Sequence, residues 1–321
     1  MTVRILTGDC RDLLPTLDAE SFDSCVTDPP YELGFMGKKW DSSGVSFQPA
    51  TWANVLRLLK PGSYLLAFGG TRTFHRMTCA IEDAGFEIHD CLSWLYGSGF
   101  PKHKSKLKPA WEPIVVARKP APKATPLQID ACRIPFADAA DAAESKAKNR
   151  HADFGSGEIV GYHGWDSRAA GGNYDPEARW PANVAVDEEA GFLIGDAARF
   201  FYCAKASRAE RERGLGDDAR RALNWSSGSQ SPGTFQSPGT DKTSSNPHPT
   251  VKPLALMRWL CRLVTPAGGL VLDPFLGSGT TGVATEAEGF SLVGCELDRA
   301  NVSIANRRIK GDSPLFAEVT T

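Results

Sequence analysis

The chain has 321 residues, 41% hydrophobic and 23% charged, which is enough apolar material for one large or two modest globular domains. Thirty-six basic against 38 acidic side chains leave a formal charge of -2, so any nucleic-acid contact must come from a local basic patch rather than from the overall balance. No stretch approaches the roughly 18 apolar residues that a membrane span needs, and the opening MTVRILTGDCRD carries charges where a signal peptide would be apolar; a cytoplasmic location and no membrane partner are expected.

The eight cysteines are scattered, form no CxxC pair and lie mostly inside apolar runs, which reads as reduced thiols packed as small hydrophobes. The six histidines are equally dispersed, with no zinc-ligand spacing, so no metal is expected.

Three zones follow one another along the chain. From Val3 to Arg118, apolar runs alternate with helical patterns: VRILT, SCVT, the helical TWANVLRLLKPG, SYLLAFGG, the helical TFHRMTCAIEDAG, IHDCLSWLYG and PIVVAR. That alternation predicts a mostly parallel, doubly wound α/β sheet with helices on both faces. Inside this zone PKHKSKLKP, at 101–109, holds Lys102, Lys104, Lys106 and Lys108 without an acidic residue. It reads either as a phosphate-neutralising segment or as a solvated loop.

From Lys119 to Asn246 the texture changes. A proline-rich KPAPKATP is followed by the alanine-rich, charged ADAADAAESKAKNR and, at the end, by SSGSQSPGTFQSPGTDKTSSN, whose repeated SPGT reads as mobile. WPANVAVD and ARFFYCAK in the same zone still read as buried strands. After Pro247 the α/β rhythm returns with the helix VKPLALMRWLCRLV, the strand GLVLDPF, the helix TTGVATEAEG, the strand SLVGCEL and the closing helix RANVSIANRRI. Too few strands remain there for a sheet of their own, so the first and last zones are expected to share one. The boundaries are therefore 1–118, 119–246 and 247–321.

Two short motifs sit at strand ends, where open α/β sheets collect ligands. The first is DPPY, comprising Asp28, Pro29, Pro30 and Tyr31. Two prolines stop the strand and stiffen the loop beyond it. Such a turn can do demanding chemistry: a base amino group is a poor nucleophile because its lone pair is delocalised. A carboxylate and a backbone carbonyl at fixed positions can hold its protons and stabilise the developing positive charge. Tyr31 would offer a flat face to a base swung out of the duplex. A plain strand-ending turn is the alternative.

The second motif is DPFLGSGTT at 273–281. Gly277 and Gly279 permit a tight turn and close approach to a ligand, and Thr280 and Thr281 are expected to cap the helix that starts there. No lysine completes a P-loop, so a nucleoside triphosphate is disfavoured, while Gly277, Gly279 and Gly282 keep the GxGxxG spacing of a nucleotide-binding turn. Glu296, at the end of the next strand, is suited to holding ribose hydroxyls. The combination points to an adenosyl ligand.

DPPY, HPTVKP at 248–253 and DPFLGSGTT, in that order, resemble the site-specific DNA methyltransferases that modify exocyclic amino groups, N6 of adenine or N4 of cytosine, in their β arrangement with the catalytic half first. GDC at 8–10, YGSGFPK at 96–102, KPAWEPIVVARKP at 108–120 and WPANV at 180–184 extend the likeness over nearly the whole chain. The resemblance implies a Rossmann-like methyltransferase fold with a target-recognition insertion, S-adenosylmethionine as cofactor and double-stranded DNA as partner. Asp28, Pro29, Pro30 and Tyr31 would then activate the amine, while Asp28, Asp273, Phe275, Gly277, Ser278, Gly279, Thr280, Thr281 and Glu296 would form the cofactor pocket. Thr250 and Lys252 would meet the methionine end, with Lys252 on its carboxylate, although an exposed lysine opening a helix is the other reading. Asp9 is a polar contact or a turn former. In GFMGKKWD, at 34–41, Phe35, Lys38, Lys39 and Trp40 could enter the duplex or grip phosphate, as could Lys102, Lys104 and Lys106.

The implied reaction is direct transfer to nitrogen, with adenine favoured over cytosine because the first motif residue is Asp. Methylation of a ring carbon would need a Pro-Cys nucleophile, and zinc deamination would need HxE with PCxxC; neither occurs. An RNA or protein-glutamine methyltransferase would place the cofactor loop first. A non-catalytic DNA-binding module would have no need of Asp28. A homodimer and a cognate restriction endonuclease are partners that the resemblance allows, in a bacterial, archaeal or phage-infected cell.

Overall fold

The computed structural model describes residues 1–34, 39–97, 99, 104–105, 107–123, 125–149, 178–204, 213–215, 221–222, 243–244, 246, 251–311 and 318–320. Fourteen strands occur among them: β1 Thr2–Thr7, β2 Phe22–Thr27, β3 Leu59–Phe68, β4 Glu87–Leu95, β5 Trp111–Arg118, β6 Ile134–Pro135, β7 Ala178–Arg179, β8 Val184–Asp187, β9 Tyr202–Ala204, β10 Arg221–Ala222, β11 Thr243–Ser244, β12 Leu270–Asp273, β13 Ser291–Glu296 and β14 Glu318–Thr320. The α-helices are α1 Cys10–Leu13, α2 Pro49–Leu58, α3 Phe74–Asp83, α4 Ala139–Asn149, α5 Glu188–Ile194, α6 Leu254–Val264, α7 Thr280–Glu288 and α8 Arg299–Lys310.

Ten strands form one sheet in the order β14-β1-β13-β12-β2-β3-β5-β4-β8-β9. Every neighbouring pair is parallel except the two that involve β5, which runs against both β3 and β4. The shared sheet expected of the first and last zones is thus realised through β12 beside β2. The middle zone is less separate than a boundary at 118/119 suggests. Its β8 and β9 extend the same sheet from β4, and α4 is tied to β7 by a buried ion pair between Asp141 and Arg179. The repeated SPGT segment lies outside the described residues.

Both sheet faces are covered, and this is why the strands read as unbroken apolar runs. Along β3, Tyr64, Leu66 and Phe68 join one core with α6, α7 and α8, while Leu65 and Ala67 join another with α2 and α3. Trp259 of α6 and Trp52 of α2 are the largest fully buried side chains in these two cores, 2% and 0% exposed; truncating either to alanine would cost about 3–5 kcal/mol.

No disulfide joins the eight cysteines; Cys79 and Cys203 are exposed, Cys91 is half-buried and the other five are buried. Among the described residues no helix is long and apolar enough to cross a membrane, and no group of three or more His, Cys, Asp or Glu could hold a metal ion.

The order places a topological switch point between β2 and β12. From β2 the chain proceeds through α2 to β3 on one side; from β12 it proceeds through α7 to β13 on the other. Loops leaving two such strands diverge and open a crevice at their carboxyl ends. Both motifs leave from those ends.

Candidate active site at the switch point

The floor of the crevice is a hydrogen bond between the two strands. The hydroxyl of Thr27, the last residue of β2, donates to Oδ1 of Asp273, the last residue of β12, at 2.7 Å. Asp273 is 1% exposed. Burial pushes its carboxyl up to about 6, against the hydroxyls of Thr27 and Thr281 and the backbone N–H of Phe275, which favour the charged form.

The glycine-rich turn comes next. Gly277 and Gly279 hold φ of +56° and +83°, the left-handed region in which a side chain is strained. A Cβ on Gly279 would stand 2.7 Å from the Cβ of Ala305 on α8, so the turn lies directly against that helix. The cap at the start of α7 is Gly279, and no side chain accepts from the helix there, contrary to the expected threonine cap. Thr280 instead accepts from the buried Arg308 of α8, whose guanidinium also donates to the carbonyl oxygen of Ser278 at 2.7 Å and to its Oγ at 3.1 Å. Thr281 serves Asp273. Nδ2 of Asn246 donates to Oγ of Ser278 at 3.3 Å. Phe275 is half-buried, its ring centroid 6.5 Å from that of Trp52.

Glu296, at the end of β13, reaches back to the same turn. Its Oε2 accepts from the N–H of Gly277 at 2.8 Å, while Oε1 accepts from the N–H of Asp298 at 2.8 Å and from Nδ2 of Asn301 at 3.2 Å. Burial raises its pKa. A carboxylate on the loop amide that a phosphate would otherwise use disfavours phosphate on electrostatic grounds. Asp9 behaves as a turn former: it caps α1 and pairs with Arg11 at 2.6 Å.

Across the crevice, Asp28 begins the other turn. Its Oδ2 accepts from Nζ of Lys252 at 2.6 Å, while Oδ1 is buried and has no hydrogen-bond partner. An unsatisfied buried acceptor costs about 1–3 kcal/mol, more when charged, and native proteins keep few of them. Burial, with Glu112 adding to it, pushes the Asp28 pKa up against the pull of Lys252.

Lys252 is 8% exposed rather than solvated. Its ammonium also lies 3.4 Å from Oε2 of Glu112 and over the rings of Phe68 and Tyr31, 4.9 and 5.2 Å from their centroids. The two carboxylates raise its pKa although burial opposes them. The structure therefore puts the lysine on Asp28.

Tyr31 donates its hydroxyl to Oε2 of Glu112 at 2.8 Å. Its carbonyl accepts from the hydroxyl of Thr73 at 2.7 Å, and that of Pro30 accepts from Ser46 at 2.8 Å. The segment after the motif is stitched to itself: Glu32, at φ +57°, accepts from the N–H of Gly44 at 2.8 Å, and buried Asp41 accepts from the N–H groups of Glu32 and Leu33 at 3.0 and 3.2 Å. Trp40 is 38% exposed and Lys104 is exposed. Phe35, Lys38, Lys102, Lys106 and Thr250 lie outside the described residues, as does the side chain of Lys39.

Glu112 is the site residue that motif reading passes over. It lies near the start of a strand, where parallel sheets do not place ligand-binding residues. Because β5 runs antiparallel, its beginning comes to the edge where β2 and β12 end. The available signal was a carboxylate in KPAWEPIVVARKP, next to a proline at the mouth of an apolar run.

The family model for DNA methylases matches residues 22–307 of this chain. Type II methyltransferase M2.DpnII of Streptococcus pneumoniae is 36% identical over 66 residues, which are 21% of this chain and 25% of that protein. Type II methyltransferase M.Cfr9I of Citrobacter freundii is 31% identical over 121 residues, 38% of this chain and 36% of that protein. The matched segments thus span only about a quarter to a third of these curated relatives. The fold is similar to that of TTHA0409, a candidate DNA modification methylase from Thermus thermophilus solved with S-adenosyl-L-methionine, at a TM-score of 0.54 and 19% identity over 99% of this chain and 100% of that one. With the family match running from the first residue of β2 into α8, and so taking in both turns and the strands that carry them, the chain belongs to the DNA methylase family.

Proposed function

We propose that the chain transfers a methyl group from S-adenosylmethionine to the exocyclic amino group of a flipped base in double-stranded DNA, at N6 of adenine. The observation that carries this reading is the unpartnered Oδ1 of Asp28, held by a rigid turn one strand away from the glycine-rich turn. An amino group brought to that oxygen would satisfy it.

The cofactor reading fits the residues present. The turn at Gly277 and Gly279 leaves no side chain between itself and a ligand, and Glu296 keeps acceptor capacity on Oε2 for a ribose hydroxyl, since a carboxylate offers about four lone-pair sites. Phe275 would pack on the adenine ring. When bound, S-adenosylmethionine supplies an electrophilic methyl carried by positively charged sulfur, and the amine lone pair takes that methyl as the carbon–sulfur bond breaks.

The chain's own part is electrostatic. Asp28 accepts one amino proton at Oδ1, the carbonyl of Pro29 is the backbone acceptor left at the turn once Pro30 is taken by Ser46, and the two draw the nitrogen toward tetrahedral geometry. The raised pKa of Asp28 suits it to receive the proton that the methylated nitrogen must lose. Tyr31 would stack against the flipped base.

Cytosine N4 is the second reading, because the amines of both bases present the same donors to Asp28. We assign residues 119–246 to target recognition, and Trp40 and Lys104 to the DNA-facing surface. A second copy of the chain and a restriction endonuclease complete the proposal as partners, testable by sedimentation and by co-purification.

The test is incubation of the protein with methyl-labelled S-adenosylmethionine and DNA, RNA or protein, followed by digestion to single nucleosides or amino acids. Label in N6-methyladenine from DNA is expected. Label in N4-methylcytosine would move the reading to its alternative, and label only in RNA or protein would overturn it.

A further inference from the structure

The charge in the reaction end of the crevice does not balance as a simple pair. Asp28 and Lys252 form a 2.6 Å ion pair, which alone sums to zero and sets an ammonium beside the oxygen that must stabilise a developing cation. Such a pair would blunt the acceptor. A second carboxylate changes this: Oε2 of Glu112 stands 3.4 Å from the same ammonium and accepts the Tyr31 hydroxyl at 2.8 Å. One oxygen therefore meets both the lysine and the hydroxyl of the motif tyrosine.

We propose that Glu112 is a positioning residue for methyl transfer: it shares Lys252 with Asp28, leaving the centre one net negative charge, and it fixes the plane of the Tyr31 ring through its hydroxyl. The inference rests on the proposed amino methylation. Two features of the fold support it. The backbone carrying Glu112 is pinned on both sides, since Gly69 N–H donates to the carbonyl of Pro113 at 2.9 Å and Tyr96 N–H donates to that of Ala110 at 2.9 Å. Tyr31 itself is confined against Gly70, where an added Cβ would come within 3.1 Å of the ring, so rotation about its last torsion is the freedom that the Glu112 bond removes. A ring plane set in advance spares the entropy of setting it when the base arrives.

The groups facing Asp28 are Lys252, Glu112, Tyr31 and, from the next strand, Asp273. Among these Glu112 is the neighbour whose charge can be removed while its size and its hydrogen bond to Tyr31 are kept. The experiment measures single-turnover methyl transfer to DNA against pH for wild type, Glu112→Gln, Glu112→Asp and Tyr31→Phe, with S-adenosylmethionine affinity measured in parallel.

Glu112→Gln is expected to slow transfer about 100-fold, the usual scale for removing one electrostatic group from a preorganised site. It should leave cofactor affinity within about twofold and move the acid limb of the profile to lower pH, because Asp28 loses a neighbouring negative charge. Glu112→Asp should hold the limb in place and recover at least about tenfold over the glutamine variant. Tyr31→Phe should slow transfer less than Glu112→Gln and move the limb to higher pH, because the Tyr31 hydroxyl helps to lower the Asp28 pKa. A glutamine variant with wild-type rate and limb, or one losing cofactor affinity in step with rate, overturns the proposal. If that variant does not fold, a Tyr31→Phe limb displaced to lower pH, or a folded Glu112→Asp with its limb displaced, overturns it as well. Absence of transfer by the wild type would sink the amino-methylation reading itself, whereas wild-type transfer with an indifferent Glu112→Gln would sink the role of Glu112 alone.

Discussion

The two turns that meet at the switch point are built from different materials. The turn after β12 is a backbone device: glycines in the left-handed region, an N–H held by Glu296, and a helix packed so closely that a single Cβ would collide with it. The turn after β2 is a side-chain device, in which a carboxylate, an ammonium and a second carboxylate from three distant parts of the chain form a largely buried cluster. A backbone cradle tolerates almost no change of shape but depends little on charge. A buried ionic cluster tolerates isosteric change and depends strongly on charge.

Five variants probe that contrast, and the largest effect is expected at Asp28. Asp28→Ala should lower single-turnover transfer by at least about 1,000-fold while cofactor affinity, measured by calorimetry, stays within about twofold. A parallel loss of both would merge the two turns into one function. Glu112→Gln comes next, with its loss of about 100-fold in the same single-turnover rate.

Gly279→Val sits on the other side of the comparison. A φ of +83° and a Cβ clash with Ala305 should destabilise the fold by about 1–3 kcal/mol and weaken cofactor binding at least about tenfold, seen as a lower Tm with a smaller ligand-induced shift. Unchanged binding would mean that the cradle lies elsewhere.

Asp273 joins the two turns and predicts a pH effect on stability. Its folded pKa, about 6, lies above the ordinary value of 3.8, so its contribution is fully present below about pH 4 and is lost as pH rises through 6. The stake is on the order of 1–3 kcal/mol. Asp273→Asn should therefore flatten the fall in unfolding free energy between pH 4 and 7, measured by urea titration; an unaltered slope would contradict the assignment. The smallest effect belongs to exposed Lys104: alanine there should reduce DNA affinity less than about threefold and lower the salt slope by about one.

How far the sequence foretold this depends on whether a feature is local. Strands buried on both faces announce themselves as apolar runs, so β1, β2, β3, β4, β5, β12 and β13 were legible, as were the helices α2, α3, α6, α7 and α8 and the glycine turn. That WPANVAVD and ARFFYCAK join the main sheet was not legible, because sheet membership is set by a pairing with β4 that no window of residues contains. Glu112 stayed hidden for the same reason: only the reversed direction of β5 brings it to the site. For Lys252 the sequence offers the methionine carboxylate or solvent, and neither reading contains Asp28, the partner 224 residues away. The threonine cap failed on a local competition, since a glycine in the left-handed region can open a helix unaided and the hydroxyls were taken by Arg308 and Asp273.

The most direct test of the account is a structure of the chain with S-adenosylmethionine bound. The cofactor should lie along the turn at Gly277 and Gly279, with a ribose hydroxyl on Glu296 and its methyl directed toward Oδ1 of Asp28. A cofactor seated at another sheet edge, or one whose methyl points away from Asp28, would contradict it.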